Sequence, residues 1–240
     1  MSATPLADVR AEGERIVRAA GEHGLTLRLC GGAAVAHLCP SARRPPFARM
    51  YKDVDLVALR RERNGVAALL ARLGYQPRDE FNLLQGASRL LFWDVPNDRQ
   101  LDVILDRFEM CHSLELASRL RSTAVALDPA DLLLTKLQVR ETNERDVKDA
   151  LALLVDTSPD IDRVAAVLCD DWGWWRTASD VIERLAAAAG LLERPDADAV
   201  LTWLAELERE LAARPKSIRW RGRAIVGDRL RWYEEPDEAY

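Results

Sequence analysis

Residues 49–59 read Arg-Met-Tyr-Lys-Asp-Val-Asp-Leu-Val-Ala-Leu, and the stretch changes character at its centre. Its first half is polar and basic, whereas from Val54 onward it is apolar enough for a buried strand. Residues two apart on a strand point to one face, so Asp53 and Asp55 stand side by side. Two like charges held this way are unfavourable unless a cation sits between them or water screens them. Oxygen ligands of this sort suit Mg²⁺, which keeps several waters and is shared with substrate phosphates.

Upstream, residues 25–30 (LTLRLC) form a short apolar run of strand formers that ends at Gly31-Gly32, after which AAVAHL resumes with helical character. A glycine pair after a strand is often only a turn. At a strand-to-helix junction it also exposes backbone N–H groups where phosphate is favoured. Residues 39–52 (CPSARRPPFARMYK) carry three prolines and four basic residues, which reads as a loop. Arg43, Arg44, Arg49 and Lys52 in that loop can face a phosphate or only solvent, and composition leaves both open.

Downstream, a helix is expected over 61–73, ended by Gly74. Two strand-like runs follow, Ser88–Val95 and Gln100–Asp106 (QLDVILD), with the turn PNDR between them reading as a hairpin. Asp102 lies in a run otherwise suited to burial, and Asp106 shares its parity, so either can be a third acid. Asp94 reads as a turn residue. If the strand of Asp102 neighbours that of Asp55, three carboxylates converge, the arrangement that two-metal attack on a phosphorus atom requires.

Beyond about residue 113 the chain becomes helical. The run TAVAL (123–127) allows one more strand, and Asp128-Pro129 begins a helix through LLLTKLQVR. Further helices are expected from near Asn143, from Pro159, and around residues 174–190 and 197–213. Trp172, Trp174 and Trp175 read first as packing residues, with base stacking as the alternative. The tail from Trp220 alternates basic and apolar residues, which suggests a terminal hairpin. The fold class expected is α+β: a mixed-sheet core over 1–112 and a helical domain with a tail over 113–240.

Composition sets outer limits. With 240 residues, 48% of them hydrophobic, the chain can bury one large core or two modest ones. A net charge of −5 exerts no global pull on nucleic acid and leaves a local basic patch open. No run approaches the roughly 20 apolar residues of a membrane helix, and acids scattered through the first 20 residues do not read as a leader. No membrane partner and a cytoplasmic location are therefore expected. Cys30, Cys39, Cys111 and Cys169 lack a CxxC pair and read as reduced, half-buried thiols.

Taken together, the runs LCGGAAVAHL, RMYKDVDLVAL and LDVIL resemble the signature of the nucleotidyltransferase superfamily with the polymerase-β-type fold. Its pattern is a glycine turn, a strand carrying two alternating acids, and a third acid on a later strand. The spelling from Arg49 to Leu56 is especially similar to the minimal and AbiEii-like toxin branch, which often reads RxTKDIDL; here Tyr51 stands where threonine or serine is usual. Residues 127–154 resemble that branch's helical segment, in which a lysine in a DLLxxKL helix precedes an RDxxDL helix. The resemblance implies a nucleoside triphosphate and Mg²⁺ or Mn²⁺, with Asp53, Asp55 and Asp102 as metal ligands. It implies that Gly31, Gly32, Arg49, Lys52, Lys136 and Asp146 line the nucleotide, and it favours Asp102 over Asp106. It also implies transfer of a nucleotide to a tRNA end, a protein or a small molecule, and an antitoxin as a partner. Without it, Lys136 reads as a snorkelling surface residue and Asp146 and Asp149 as a solvated helix face.

Overall fold

The protein is described as a computed structural model over residues 4–120 and 124–235. Among these residues the fold is mixed α+β. Two compact units emerge, each assembled from three stretches. The first comprises Met1–Leu38, Arg49–Phe108 and Glu115–Asp128, and the second Cys39–Ala48, Glu109–Leu114 and Pro129–Tyr240.

The first unit is built on a five-stranded sheet. Its strands are β1 (Leu27–Cys30), β2 (Val54–Ala58), β3 (Gln76–Pro77), β4 (Arg89–Asp94) and β5 (Arg99–Leu105), in the spatial order β1-β2-β5-β4-β3. β2 and β5 run parallel, while the other neighbours pair antiparallel. Alternation along these strands decides the faces. Leu27, Leu29, Leu56, Leu101 and Val103 are fully buried and form one face. Helix α1 (Val9–Glu22) packs on that face so closely that a Cβ at Gly13 would come within 2.5 Å of Leu29 Cδ2. Helices α2 (Gly31–Leu38), α3 (Arg63–Arg72) and α4 (Asp79–Gln85) complete the unit's helices.

The expected hairpin of residues 88–106 is present as β4 and β5. Asp94, however, is no exposed turn residue: it ends β4, buried, and pairs with buried Arg99. A partner inside the core outweighs the turn propensity of the residue. The part of the TAVAL run that is described makes a single parallel bridge, Leu29 with Ala126; Thr123 lies outside the described residues. Residues 107–109 (β6, Arg107–Glu109) and 113–115 (β7, Ser113–Glu115) pair in a short ribbon.

The second unit is helical: α5 (Pro129–Leu137), α6 (Glu144–Asp156), α7 (Ile161–Asp170), α8 (Trp172–Ala189), α9 (Arg194–Ala213) and α10 (Ile218–Val226). Side-chain caps set several starts. Asn143 accepts from the N–H groups of Arg145 and Asp146, Asp160 from Arg163, and Asp171 from Gly173 and Trp174. The expected terminal hairpin is not formed. Residues 218–226 are helical instead, because Ser217 caps the segment by accepting from Trp220 N–H at 2.9 Å. Trp172 and Trp174 are buried, and Trp172, Trp175, Trp220 and Trp232 meet edge-on or tilted at centroid distances of 5.5–6.3 Å. All four cysteines are buried free thiols, and desolvation lifts the Cys39 thiol to about 12. No helix among the described residues is long and apolar enough to cross a membrane.

Candidate active site

The face of the sheet opposite α1 carries the acids. Asp55 on β2 is the register partner of Asp102 on β5, so neighbouring parallel strands, about 4.8 Å apart, present two carboxylates at the same level. Asp53 precedes the first residue of β2 and is exposed. Asp106 lies past the end of β5 in a left-handed turn with φ 63°, where its carboxylate accepts from the N–H of Arg60 at 3.0 Å. Of the two rivals for third acid, Asp102 is the one beside Asp55.

Gly31 closes the site on the β1 side. Its φ of +55° favours glycine, and a Cβ there would overlap Asp55 Oδ2. Gly31 and Gly32 open α2 rather than preceding it. A Cβ on Gly32 would meet the guanidinium of Arg49 at 2.5 Å and the ring of Tyr51 at 2.7 Å, and that guanidinium stacks over Tyr51 at 4.0 Å from the ring centroid. Backbone and cation therefore crowd together beside the acid pair, and only glycine leaves the space. Lys52 is exposed. Arg43 and Arg44 belong to the second unit, where Arg44 pairs with Asp196 at 2.8 Å.

Two residues missed by sequence reasoning meet Asp102. Arg89 on β4 grips it with a two-pronged ion pair, Nε to Oδ1 at 2.5 Å and Nη2 to Oδ2 at 2.9 Å. Gln100 Nε2 donates to Oδ2 at 2.7 Å. The hydrogen bonds to Asp102 hold Arg89 above its usual value against partial desolvation, and the negative charges of Asp102 and Asp55 add to this. The available signals were a lone arginine in an apolar strand and a glutamine two residues before Asp102, on the same face.

A divalent cation needs oxygen donors. Asp53 and Asp55 supply them in kind, and the Asp55 carboxylate lies against Gly31 in the space that any side chain there would take. The Asp102 oxygens are engaged by Arg89 and Gln100. Among the described residues, no group of three or more His, Cys, Asp or Glu side chains is gathered to hold a metal ion.

Lys136 and Asp146 lie in the second unit. The Lys136 ammonium is held between Asp146 at 3.0 Å and Asp149 at 2.9 Å. Burial alone would lower its pKa, but the charges of Asp149 and Asp146 overcome this and raise it. Lys136 is thus no snorkelling surface lysine. Asp149, 1% exposed, is no part of a solvated face, because the helix turns it inward onto a cation.

No family model and no curated protein matches the sequence. Among solved structures the chain is similar to the solution structure of the antibiotic-resistance factor ANT(2'')-Ia, with a TM-score of 0.41 and 16% identity, covering 72% of this chain and 91% of that one.

Proposed function

We propose that the chain is a nucleotidyltransferase, moving a nucleoside monophosphate from a nucleoside triphosphate to an acceptor hydroxyl. The observation that carries this reading is the placement of Asp55 level with Asp102 on adjacent strands, beside a glycine whose missing side chain lets the Asp55 carboxylate sit against the start of α2. In the reaction the acceptor oxygen bonds the α-phosphorus, the bond to the leaving pyrophosphate breaks, and the acceptor proton passes to a base. Asp102 is assigned to receive that proton. Gly31 and Gly32 offer backbone N–H groups to phosphate, while Arg49 and Lys52 supply positive charge next to it. Asp53, Asp55 and Asp102 are the groups that would hold Mg²⁺ or Mn²⁺. When bound, such an ion draws electron density from the phosphate oxygens and steadies the leaving group. Resemblance alone extends the site to Lys136 and Asp146, and brings in a toxin role, a tRNA end, protein or small molecule as acceptor, and an antitoxin partner.

One observation favours a second reading. Arg89 already neutralises Asp102, which suits a module that binds nucleotide and transfers nothing. Incubation with each of four α-labelled triphosphates, Mg²⁺ or Mn²⁺, and pools of tRNA, protein and small molecules decides between the two. Label should appear in one pool with wild type and vanish with Asp55→Asn. Label in no pool, alongside metal-dependent thermal stabilisation by triphosphate, selects the binding module. For the toxin role, induced expression should slow bacterial growth with wild type and not with Asp55→Asn; equal growth removes it.

A further inference from the structure

Arg89 occupies the place where the acid pair demands positive charge. Its side chain is 32% exposed and that of Asp102 6%, so the ion pair is closed on the Asp102 side and open to solvent on the Arg89 side. The guanidinium also lies over the ring of Phe81 on α4, 5.6 Å from its centroid. Every group involved, Asp55, Gly31, Phe81, Arg89, Gln100 and Asp102, belongs to the first unit. A planar fork matched to a carboxylate is a strong, oriented clamp. It also uses one lone pair on each Asp102 oxygen, with Gln100 taking another on Oδ2. A dication at the same pair would face the guanidinium at close range, and like charges so near one another are disfavoured.

We infer that Arg89 is a resident counter-cation that competes with divalent metal for Asp102, so metal binds fully only when the guanidinium swings off the carboxylate toward solvent. Arg89 then sets metal affinity: it stabilises the metal-free acid pair and weakens metal binding by the same interaction. The inference rests on reading Asp55 and Asp102 as a metal-binding pair. It makes Arg89 a positioning residue, acting through Asp102.

The test is Mn²⁺ binding without nucleotide, followed by electron paramagnetic resonance of the free ion, on the full chain. Arg89→Gln should bind Mn²⁺ at least tenfold more tightly than wild type. It should also melt at a lower temperature than wild type without metal, and recover more than wild type does on adding Mn²⁺. Arg89→Lys keeps the charge and loses the fork, so its Mn²⁺ affinity should fall between the two, which serves if Arg89→Gln fails to fold. Affinity at or below the wild-type value in the folded variant overturns the inference, as does a melting deficit that Mn²⁺ does not narrow. Failure here is separable from failure of the proposed function. Label transfer that needs Asp55, together with unchanged Mn²⁺ affinity in the Arg89 variants, sinks the counter-cation role alone. Tightened Mn²⁺ binding without transfer to any pool keeps that role and sinks the transferase.

Discussion

Asp94 and Arg99 close the β4–β5 hairpin with a buried ion pair: their side chains are 0% and 3% exposed, and Arg99 Nε donates to Asp94 Oδ2 at 3.0 Å. Asn97, within the turn, donates to the same carboxylate, and Arg99 reaches the backbone oxygens of Leu6 and Ala7. The pair therefore joins the hairpin to the segment leading into α1. Removing one member of such a pair leaves a charge buried without its partner, at a cost of about 3–5 kcal/mol. Arg99→Met should lose that much in urea unfolding, and adding Asp94→Asn should recover part of it. A loss under about 1 kcal/mol would show that the pair is not needed.

Gly31 and Gly24 offer an internally controlled comparison. Both have positive φ, +55° and +69°, but a Cβ at Gly31 collides with Asp55 whereas Gly24 has nothing within 4 Å. Alanine at either position incurs the left-handed penalty of about 1–2 kcal/mol. Only Gly31→Ala should also abolish thermal stabilisation by triphosphate and Mg²⁺. Equal nucleotide responses in the two variants would remove Gly31 from the site.

Lys136 links stability to alkaline pH. Its pKa is raised in the folded protein above the ordinary 10.5, so its contribution is fully present below that value and is lost as pH rises through the folded pKa. Lys136→Met should cost about 3–5 kcal/mol at pH 7 by stranding buried Asp149. The Lys136→Met, Asp149→Asn double variant should recover part of that loss. Above pH 10.5 the gap between wild type and Lys136→Met should narrow; a constant gap in denaturant midpoints would contradict the pairing.

His112 acts at the acid end. Burial lowers its pKa to about 4, against an opposing pull from Asp171. Its ring stacks on Trp174 at 5.1 Å, and Nε2 meets the Thr177 hydroxyl at 2.8 Å. Between the ordinary value near 6.5 and about 4, the unfolded chain binds the proton and the folded chain does not. Stability should therefore fall as pH drops through that window, by about 3 kcal/mol. His112→Gln should remove this step from the pH profile of unfolding free energy while leaving the region above pH 7 unsloped by it.

What was legible in the sequence depended on whether the signal was local. The hairpin of residues 88–106 and the helix start near Asn143 are written within a few neighbouring residues, and each has its counterpart in the structure, whereas Asp53 stands one residue before the strand that carries Asp55. Arg89 was invisible because its partner lies on the next strand, set by a register that no single strand encodes. Glu12 stood among the acids scattered through the first 20 residues, with nothing in its neighbours to mark it as core. It is fully buried because the Tyr75 hydroxyl, 2.5 Å away, and Arg15 surround it. In the tail, the two-residue alternation of Trp220, Arg221, Gly222 and Arg223 imitated a strand and hid the stronger signal, the Ser217 cap three residues before Trp220. β3 has only two residues and α4 only seven, too few for a period to declare itself.

The chain passes between its two units at residues 38–39, 48–49, 108–109, 114–115 and 128–129. A fragment ending at Asp128 would thus keep residues 39–48 and 109–114 but discard the helices of their unit, residues 129–240. Ser41, which donates from both its backbone N–H and its hydroxyl to Asp156, would lose that acceptor. Deletion mapping on this chain therefore reads folding before it reads activity. In evolutionary terms, neither unit is a cassette: one crossover cannot exchange it whole, and the acid-bearing sheet is inherited together with its helices.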